Sequence, residues 1–162
     1  MSTTSKFISL KEYIPAGNPK LSHFSLNASE INLENINDVL VKNEWISVDP
    51  YLRARMTERR NYLPPFELNK PMLGAAIGKV QKSNSKNFSA GNIVLSENGW
   101  RDYFVEKDTK LQKIESNNLP IQTYLGPLGM TGHTAYIGLF KIGDLKEKQT
   151  VLVSSAAGSV GS

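Results

Sequence analysis

Cysteine is absent from this 162-residue chain, and histidine occurs only twice. Without cysteine, the chain has no disulfide, no thiolate nucleophile and no zinc site with a cysteine ligand. His23 and His133 lie far apart in the sequence, and neither has an acidic partner at the spacing of metal ligands. We therefore expect no catalytic or structural transition-metal site.

Long apolar runs are also absent. No stretch approaches the roughly 20 apolar residues that a membrane-spanning helix needs, and the N-terminal sequence MSTTSKF contains no apolar signal region. A composition of 40% hydrophobic and 21% charged residues is typical of a soluble globular protein. The length allows one ordinary domain but not two complete ones. We expect a cytoplasmic protein with no membrane partner.

Strong charge of one sign is missing too, since the formal net charge is only +4. Basic residues are scattered except for one group of four arginines, so we expect no nucleic-acid partner. The group consists of Arg53, Arg55, Arg59 and Arg60. Its charge pattern is compatible with a solvated helix face or with a surface that faces a phosphate.

The N-terminal part of the chain has the patterns of β-strands. The predicted strands are Lys6 to Tyr13, His23 to Ser29, Asp38 to Val48, Met72 to Lys82, Ile93 to Leu95 and Trp100 to Val105. Glycines inside the fourth strand predict a bulge or a close backbone approach. The dipeptide Asn98-Gly99 predicts a two-residue hairpin turn before the last strand.

Two segments interrupt the strands. Tyr51 to Glu58 is rich in helix formers and predicts a short helical turn, while Asn61 to Lys70 contains two prolines and predicts a loop. After Pro120 the apolar spacing becomes helical and predicts a short helix, a turn and a second helix from about Thr131 to Phe140. Val151 to Ser154 then predicts a buried strand. The order indicates a β-rich module, a helical hinge and the start of an α/β domain.

The segment Ala156 to Gly161, AAGSVG, follows that last strand. A buried strand followed by spaced glycines is how a dinucleotide-binding unit opens, because glycines let the backbone approach a pyrophosphate. Small residues after a strand are also common in turns without a ligand. The motif leaves both interpretations open.

Tyr51 lies in DPYLRARM at the exit of the long strand. A phenol is protonated at neutral pH and can donate a hydrogen bond to a developing oxyanion. The alternative is a tyrosine that covers the apolar end of the β-structure. A third cluster, Leu125 to Tyr136, has three glycines and two threonines at a helix start, which favours either a close-approach surface for a ligand or tight helix packing with Thr131 as a cap.

Together these segments resemble the medium-chain dehydrogenase/reductase superfamily. The order DPYLRARM, MLGAAIGKV, GWRDYFV, LGMTGHTAYIGLF, VLVSSAAGSVG is most similar to its zinc-free branch of NADPH-dependent alkenal/alkenone reductases, which includes the prostaglandin, leukotriene and curcumin reductases. The resemblance covers nearly the whole chain and keeps motif order and spacing.

The resemblance implies a mainly β fold: a GroES-like β-barrel catalytic domain with a short helical hinge and the first strand of a Rossmann α/β domain. It assigns residues 1–119 to the catalytic domain, 120–149 to an inter-domain helical segment, and 150–162 to the first strand and phosphate loop of a truncated NADP-binding domain. The full-length form is expected to be a homodimer.

The resemblance also implies site residues. Tyr51 is expected beside the nicotinamide and the substrate, Met130 and Thr134 beside the nicotinamide, and the pyrophosphate loop at Gly158, Ser159, Val160 and Gly161. Zinc-dependent relatives need a cysteine and a Gly-His-Glu sequence, where this chain has Gly74-Ala75-Ala76 and no cysteine.

The implied reaction is reduction of the C=C bond of a small enal or enone. NADPH delivers hydride to the β-carbon, Tyr51 or a cofactor ribose hydroxyl binds the enolate oxygen, and solvent protonates the α-carbon. Two alternatives remain: quinone reduction on the same fold, and a free-standing GroES-like binding module. Because the implied cofactor domain is incomplete, we expect the chain by itself to be inactive and to bind little NADPH.

Overall fold

The computed structural model describes residues 2–59, 62–115 and 118–162. Arg60 of the arginine group and Asn61 of the predicted loop lie outside these ranges. The chain divides into two compact units, Met1–Glu115 and Ser116–Ser162. The domain limits implied by the family resemblance remain a prediction. None of the helices in the described ranges is long and apolar enough to cross a membrane.

In its described residues, the first unit contains seven strands and one short helix. They are β1 (Thr3–Leu10), β2 (Phe24–Ile31), β3 (Asp38–Ile46), α1 (Tyr51–Ala54), β4 (Ala76–Ser83), β5 (Ile93–Ser96), β6 (Tyr103–Lys107) and β7 (Gln112–Ile114), with 3-10 turns at Leu21–His23 and Asp108–Lys110. The mainly β prediction is confirmed. The short strand β7 was not predicted, because three residues between polar turns carry little periodicity.

The strands form two antiparallel sheets. β1 and β2 pair with each other, and the other five are ordered β6-β3-β4-β5-β7. Isolated bridges join Phe7 to Arg101 and Ser9 to Pro71, so β1 borders the large sheet without a continuous ladder. In the described residues the sheets thus approach each other but do not close into one barrel.

The core of the large sheet is a cluster of apolar side chains from β3, β4, β5 and β6 and from two positions outside the strands, Phe88 and Leu111. Its members are Val39, Val41, Val80, Phe88, Val94, Phe104 and Leu111. Leu40, between Val39 and Val41, is also buried at 6% exposed, so burial does not alternate in this part of β3. The register between β3 and β4 shifts at two places, between Leu40 and Val41 and between Asn43 and Trp45.

Gly78 of β4 lies at a close approach of β4 to β3. A Cβ at this position would lie 2.5 Å from Val41 Cγ1 and 2.7 Å from the carbonyl oxygen of Lys42. Both distances are shorter than van der Waals contact, so only glycine fits. The predicted close backbone approach is confirmed here.

The hairpin predicted at Asn98-Gly99 is wrong. β6 pairs with β3 instead of β5, while β5 lies between β4 and β7. The preferred two-residue turn needs positive φ at both central residues, but here the positive φ, 59°, is at Trp100. Gly99 serves a different purpose: its N–H donates to the carbonyl of Gly74 at 2.9 Å, and a Cβ would lie 2.8 Å from that oxygen.

The second unit is helical and then irregular. A 3-10 turn spans Ile121–Leu125, α2 spans Met130–Tyr136, and a π-helical turn at Ile137–Ile142 continues it. The helix predicted from Thr131 to Phe140 is therefore confirmed. The strand predicted from Val151 to Ser154 is not formed, since residues 151–153 have no regular structure and turns follow. A strand needs neighbours for its backbone hydrogen bonds, and no strand among the described residues of this unit supplies them.

Candidate active site

Tyr51 is the first residue of α1, and residues 47–50 connect it to the long strand β3. Pro50 precedes it with φ −56° and ψ −32°, so the proline is already in helical geometry. The carbonyl of Asp49 accepts the first hydrogen bond of the turn, from Leu52 N at 3.1 Å. Because proline at a helix start has the required φ and no N–H to satisfy, Asp49-Pro50 begins the helix, while β3 already ends at Ile46.

One face of α1 and of the turn that follows it is apolar and buried, which fixes the orientation of this segment. Leu52 and Met56, four residues apart, are 2% and 7% exposed and belong to a second core cluster with Leu10, Ile14, Phe66 and Met72. Residues at i and i+4 share a helix face. Tyr51 and Trp100 pack against the edge of the same cluster and are partly buried.

The two arginines of this segment hold α1 to neighbouring loops. Arg53 Nη2 donates to the carbonyl oxygens of Ile14 at 3.0 Å and Gly17 at 2.9 Å. Arg55 Nε donates to the carbonyl oxygen of Pro64 at 3.0 Å, and its guanidinium lies 4.3 Å from the centroid of the Phe66 ring. The solvated helix face considered from the charge pattern is therefore wrong for these two residues, although Arg59 is exposed.

The phenol of Tyr51 lies in an environment that keeps it protonated. Burial, followed by the negative charges of Glu97 and Asp49, raises the pKa of Tyr51 to about 12, while the Arg55 charge acts in the opposite direction. A tyrosine with this pKa is a neutral hydrogen-bond donor throughout the physiological range. This is the protonation state required to donate to a developing oxyanion.

Glu97 is the second titratable group that this environment perturbs. Burial raises the pKa of its carboxyl group, Asp49 adds to the effect, and Arg55 opposes it. Asp49 is held in place, since its Oδ2 accepts a hydrogen bond from Ser47 Oγ at 2.6 Å. The charges of Glu97, Asp49 and Arg55 thus all affect the pKa of Tyr51. Sequence reasoning missed Glu97, because β-structure far along the chain brings it there and no local motif marks it.

Trp100 and Gly74 lie close to each other and to Leu52 of α1. A Cβ on Gly74 would lie 3.4 Å from Trp100 Nε1 and 3.7 Å from Leu52 Cδ2. Trp100 Nε1 is buried and has no acceptor among the described residues. Gly74 therefore packs against the indole ring of Trp100, and a side chain larger than alanine would have to displace it.

Met130 and Thr134 belong to the second unit, on one face of α2. Both are exposed, Met130 by 61%, and Thr134 Oγ1 donates to the Met130 carbonyl oxygen at 2.8 Å. Thr131 is not the helix cap, which is Gly129; it is buried and donates to the Gly126 carbonyl oxygen at 3.0 Å. Gly132 has a packing role, since a Cβ would overlap the Pro127 carbonyl oxygen.

The terminal loop has the small residues expected of a pyrophosphate-binding loop, but some of its backbone amides donate to carbonyl oxygens of the loop itself. A Cβ at Gly161 would lie 2.5 Å from the Ser155 carbonyl oxygen, so this turn admits only glycine. The amides of Gly158 and Gly161 donate within the loop, at 2.8 and 3.0 Å. The amides of Ser159 and Val160 make no backbone hydrogen bond in the described chain. Residues 158–161 therefore fit a phosphate group through glycine geometry and these two amides.

The candidate residues are divided between the two units. Tyr51 lies in the first unit with Asp49, Arg55 and Glu97, while Met130, Thr134 and the loop Gly158, Ser159, Val160 and Gly161 lie in the second. No group of three or more metal-binding side chains occurs in the part of the chain that the structure describes.

Comparison with known proteins identifies relatives. The family model for the N-terminal domain of oxidoreductase matches residues 6–114. The chain is 35% identical to NADPH-dependent curcumin reductase of Escherichia coli K12 over 147 residues, covering 91% of this chain and 43% of that protein. It is 37% identical to 2-alkenal reductase (NADP(+)-dependent) of Nicotiana tabacum over 163 residues, covering 98% of this chain and 47% of that protein.

The fold also matches a solved structure. The crystal structure of CurA from Vibrio vulnificus in complex with NADPH superposes with a TM-score of 0.87 at 32% identity, covering 96% of this chain and 46% of that one. The chain spans less than half the length of these relatives. The matched domain and the relatives together show that this chain belongs to the family of N-terminal oxidoreductase domains in the medium-chain dehydrogenase/reductase superfamily.

Proposed function

We propose that the protein containing this chain is a zinc-independent, NADPH-dependent oxidoreductase that reduces the C=C bond of α,β-unsaturated aldehydes and ketones. The observation that carries the proposal is the Tyr51 phenol, partly buried at the start of α1 with its pKa raised to about 12. A neutral donor in this position suits an oxygen that gains negative charge during reduction. The relatives named as curcumin and alkenal reductases support the same substrate class.

In this proposal Tyr51 donates its hydrogen bond to the carbonyl oxygen of the substrate. When bound, NADPH supplies the hydride that adds to the β-carbon. The two electrons of the C=C bond then move toward the carbonyl, and the resulting enolate oxygen remains hydrogen-bonded to Tyr51. A proton from solvent adds to the α-carbon, which completes the saturated product.

In the second unit, Met130 and Thr134 are the residues proposed to border the nicotinamide, and residues 158–161 the pyrophosphate. Thr134 already donates to the Met130 carbonyl, so its hydroxyl oxygen keeps acceptor capacity for a ligand donor. The proposed independence of zinc is supported by the absence of cysteine and by Ala75 beside Gly74.

The experiment follows deuterium from NADPH labelled at its transferable position into crotonaldehyde, using the full-length enzyme. NMR of the product should find deuterium at the β-carbon of butanal. Deuterium at the carbonyl carbon of an allylic alcohol would contradict the proposal. Rapid reduction of a benzoquinone without turnover of crotonaldehyde would favour quinone reduction instead.

Calorimetric titration of the 162-residue chain with NADPH tests the binding-module alternative. We expect little heat, because residues 151–153 form no strand and the Gly158 and Gly161 amides donate within the loop. Tight binding by the chain alone would favour a self-sufficient binding module. The full-length enzyme serves as the positive control.

A further inference from the structure

Arg55 is a buried cation that the proposed reaction does not yet use. The residue is 9% exposed, and no ion pair links it to a carboxylate in the described ranges. Its Nε donates to the Pro64 carbonyl oxygen, and its plane lies over the Phe66 ring. Burying a guanidinium without an ion pair is costly, and a neutral side chain could fill the same space. A charged side chain at this buried position therefore indicates a role beyond packing.

The position of Arg55 relative to Tyr51 suggests that role. The two residues are four apart on one helical turn, and the backbone of Arg55 still has helical angles, φ −75° and ψ −10°. Side chains at i and i+4 are neighbours on one face, with Cβ atoms about 5–6 Å apart. The adjacent face of the turn, with Leu52 and Met56, is fixed in the apolar cluster on which Tyr51 also packs.

The charges around the phenol would otherwise oppose the reaction. Asp49 and Glu97 are the two carboxylates that act on Tyr51, and Tyr62 is a further neighbour that raises its pKa. An oxygen that becomes negative beside the phenol would be repelled by both carboxylates. Arg55 is the cation that acts on both Tyr51 and Glu97.

We propose that Arg55 is a positioning residue for Tyr51, one that holds α1 against the Pro64–Phe66 segment and supplies the positive charge that offsets Asp49 and Glu97 when an oxygen bound to the phenol becomes negative. This inference rests on the proposed function for its catalytic consequence. The charge balance itself can be measured without substrate or cofactor.

The first experiment measures the carboxyl titration of Glu97 by 13C NMR in the 162-residue chain. Arg55→Gln should raise the pKa of Glu97, because the opposing positive charge is lost. Arg55→Lys should leave it near the wild-type value. Arg53→Gln is the matched control: it loses hydrogen bonds on the same helix and should not move the titration. An unchanged Glu97 titration in folded Arg55→Gln would overturn the charge assignment.

The second experiment is a double-mutant cycle on crotonaldehyde reduction in the full-length enzyme. Arg55→Gln should lower kcat about tenfold when Tyr51 is present and less than about threefold in the Tyr51→Phe background. Equal losses in both backgrounds would contradict action through Tyr51. Arg53→Gln should give equal effects in the two backgrounds, since it acts on the helix as a whole.

If Arg55→Gln does not fold, Glu97→Gln tests the same charge balance from the carboxylate side. Removing one carboxylate with Arg55 intact should raise kcat by about twofold. A fall in kcat, or no change, would count against the proposal. Should the enzyme fail to reduce crotonaldehyde at all, the proposed function fails while the Glu97 titration still decides the role of the Arg55 charge.

Discussion

The side-chain amide of Asn43 donates to the carbonyl oxygen of Asn98 at 2.8 Å, and a second hydrogen bond reaches that of Arg101 at 2.9 Å. Asn43 lies in β3 next to a register shift, so these bonds join the irregular part of the strand to the segment before β6. They span 55 and 58 residues of sequence. Trp100, between the two acceptors, is thereby held against the cluster that supports Tyr51.

Asn43→Leu removes both donors and should lower the free energy of unfolding by about 1–3 kcal/mol, since two carbonyl groups lose their partner. Urea unfolding followed by tryptophan fluorescence measures this, because both tryptophans lie in the first unit. Gln81→Ala is the control: its amide donates on the exposed side of β4, and its loss should cost less than about 0.5 kcal/mol. Equal stabilities of Asn43→Leu and wild type would show that the two bonds do not hold the segment.

Tyr51→Phe in the full-length enzyme should slow crotonaldehyde reduction by roughly tenfold or more. Removing one donor to an oxyanion costs about 2.7–4 kcal/mol of barrier, and a ribose hydroxyl can share the role. The measurement is kcat under saturating NADPH.

Tyr13→Phe is the control for this prediction. The Tyr13 hydroxyl donates to the Phe66 carbonyl oxygen at 3.0 Å, and the Tyr13 ring packs on the same cluster as Tyr51. Loss of the hydroxyl should lower stability by about 1 kcal/mol and leave kcat near wild type. Wild-type turnover in Tyr51→Phe would remove Tyr51 from the mechanism.

Asp38 should make the stability of the first unit depend on pH. A hydrogen bond from Lys107 Nζ at 2.6 Å, then one from the Asn35 amide, lowers the pKa of Asp38 from 3.8 to about 2. Because the folded pKa lies below the unfolded one, the stabilisation is complete above about pH 4 and is lost as the pH falls toward 2. The free energy of unfolding of wild type should exceed that of Asp38→Asn by about 1 kcal/mol at pH 7. This difference is small because Lys107 is half exposed and solvent screens the pair.

Urea unfolding of both proteins between pH 7 and pH 2 checks this expectation, and the difference should shrink steadily below pH 4. Lys110→Gln breaks an exposed ion pair with Glu106 and should change stability by less than about 0.5 kcal/mol. A difference between wild type and Asp38→Asn that stays constant with pH would refute the assignment.

Gly78→Ala should destabilise the first unit by about 1–3 kcal/mol. The new Cβ would meet Val41 Cγ1 at 2.5 Å and the Lys42 carbonyl oxygen at 2.7 Å, which forces β3 and β4 apart. Gly74→Ala is the matched control, because its Cβ would find ordinary contacts from 3.4 Å outward. In differential scanning calorimetry, Gly78→Ala should have a clearly lower melting temperature than Gly74→Ala. The reverse order would contradict the close approach of β3 and β4 at Gly78.

Much of the local structure follows from short-range signals. Pro50 begins helix α1, because proline fixes φ and lacks an N–H, although β3 already ends at Ile46. Strands β1 to β4 and helix α2 likewise follow from side-chain period and β-branched content. The motif order, with no cysteine, was sufficient to predict the oxidoreductase family and the candidate residue Tyr51.

Only the tertiary structure decided which strands pair and which charges meet. Asn98-Gly99 has the composition of a hairpin turn, yet hydrogen bonds with Asn43 and Gly74 give the segment another path. Arg55 looks like a surface charge in sequence, but the Pro64 carbonyl and the Phe66 ring bury it beside Tyr51. Val151 to Ser154 has the sequence of a strand and forms none here. Local propensity sets backbone preference, whereas pairing and burial depend on partners distant in sequence.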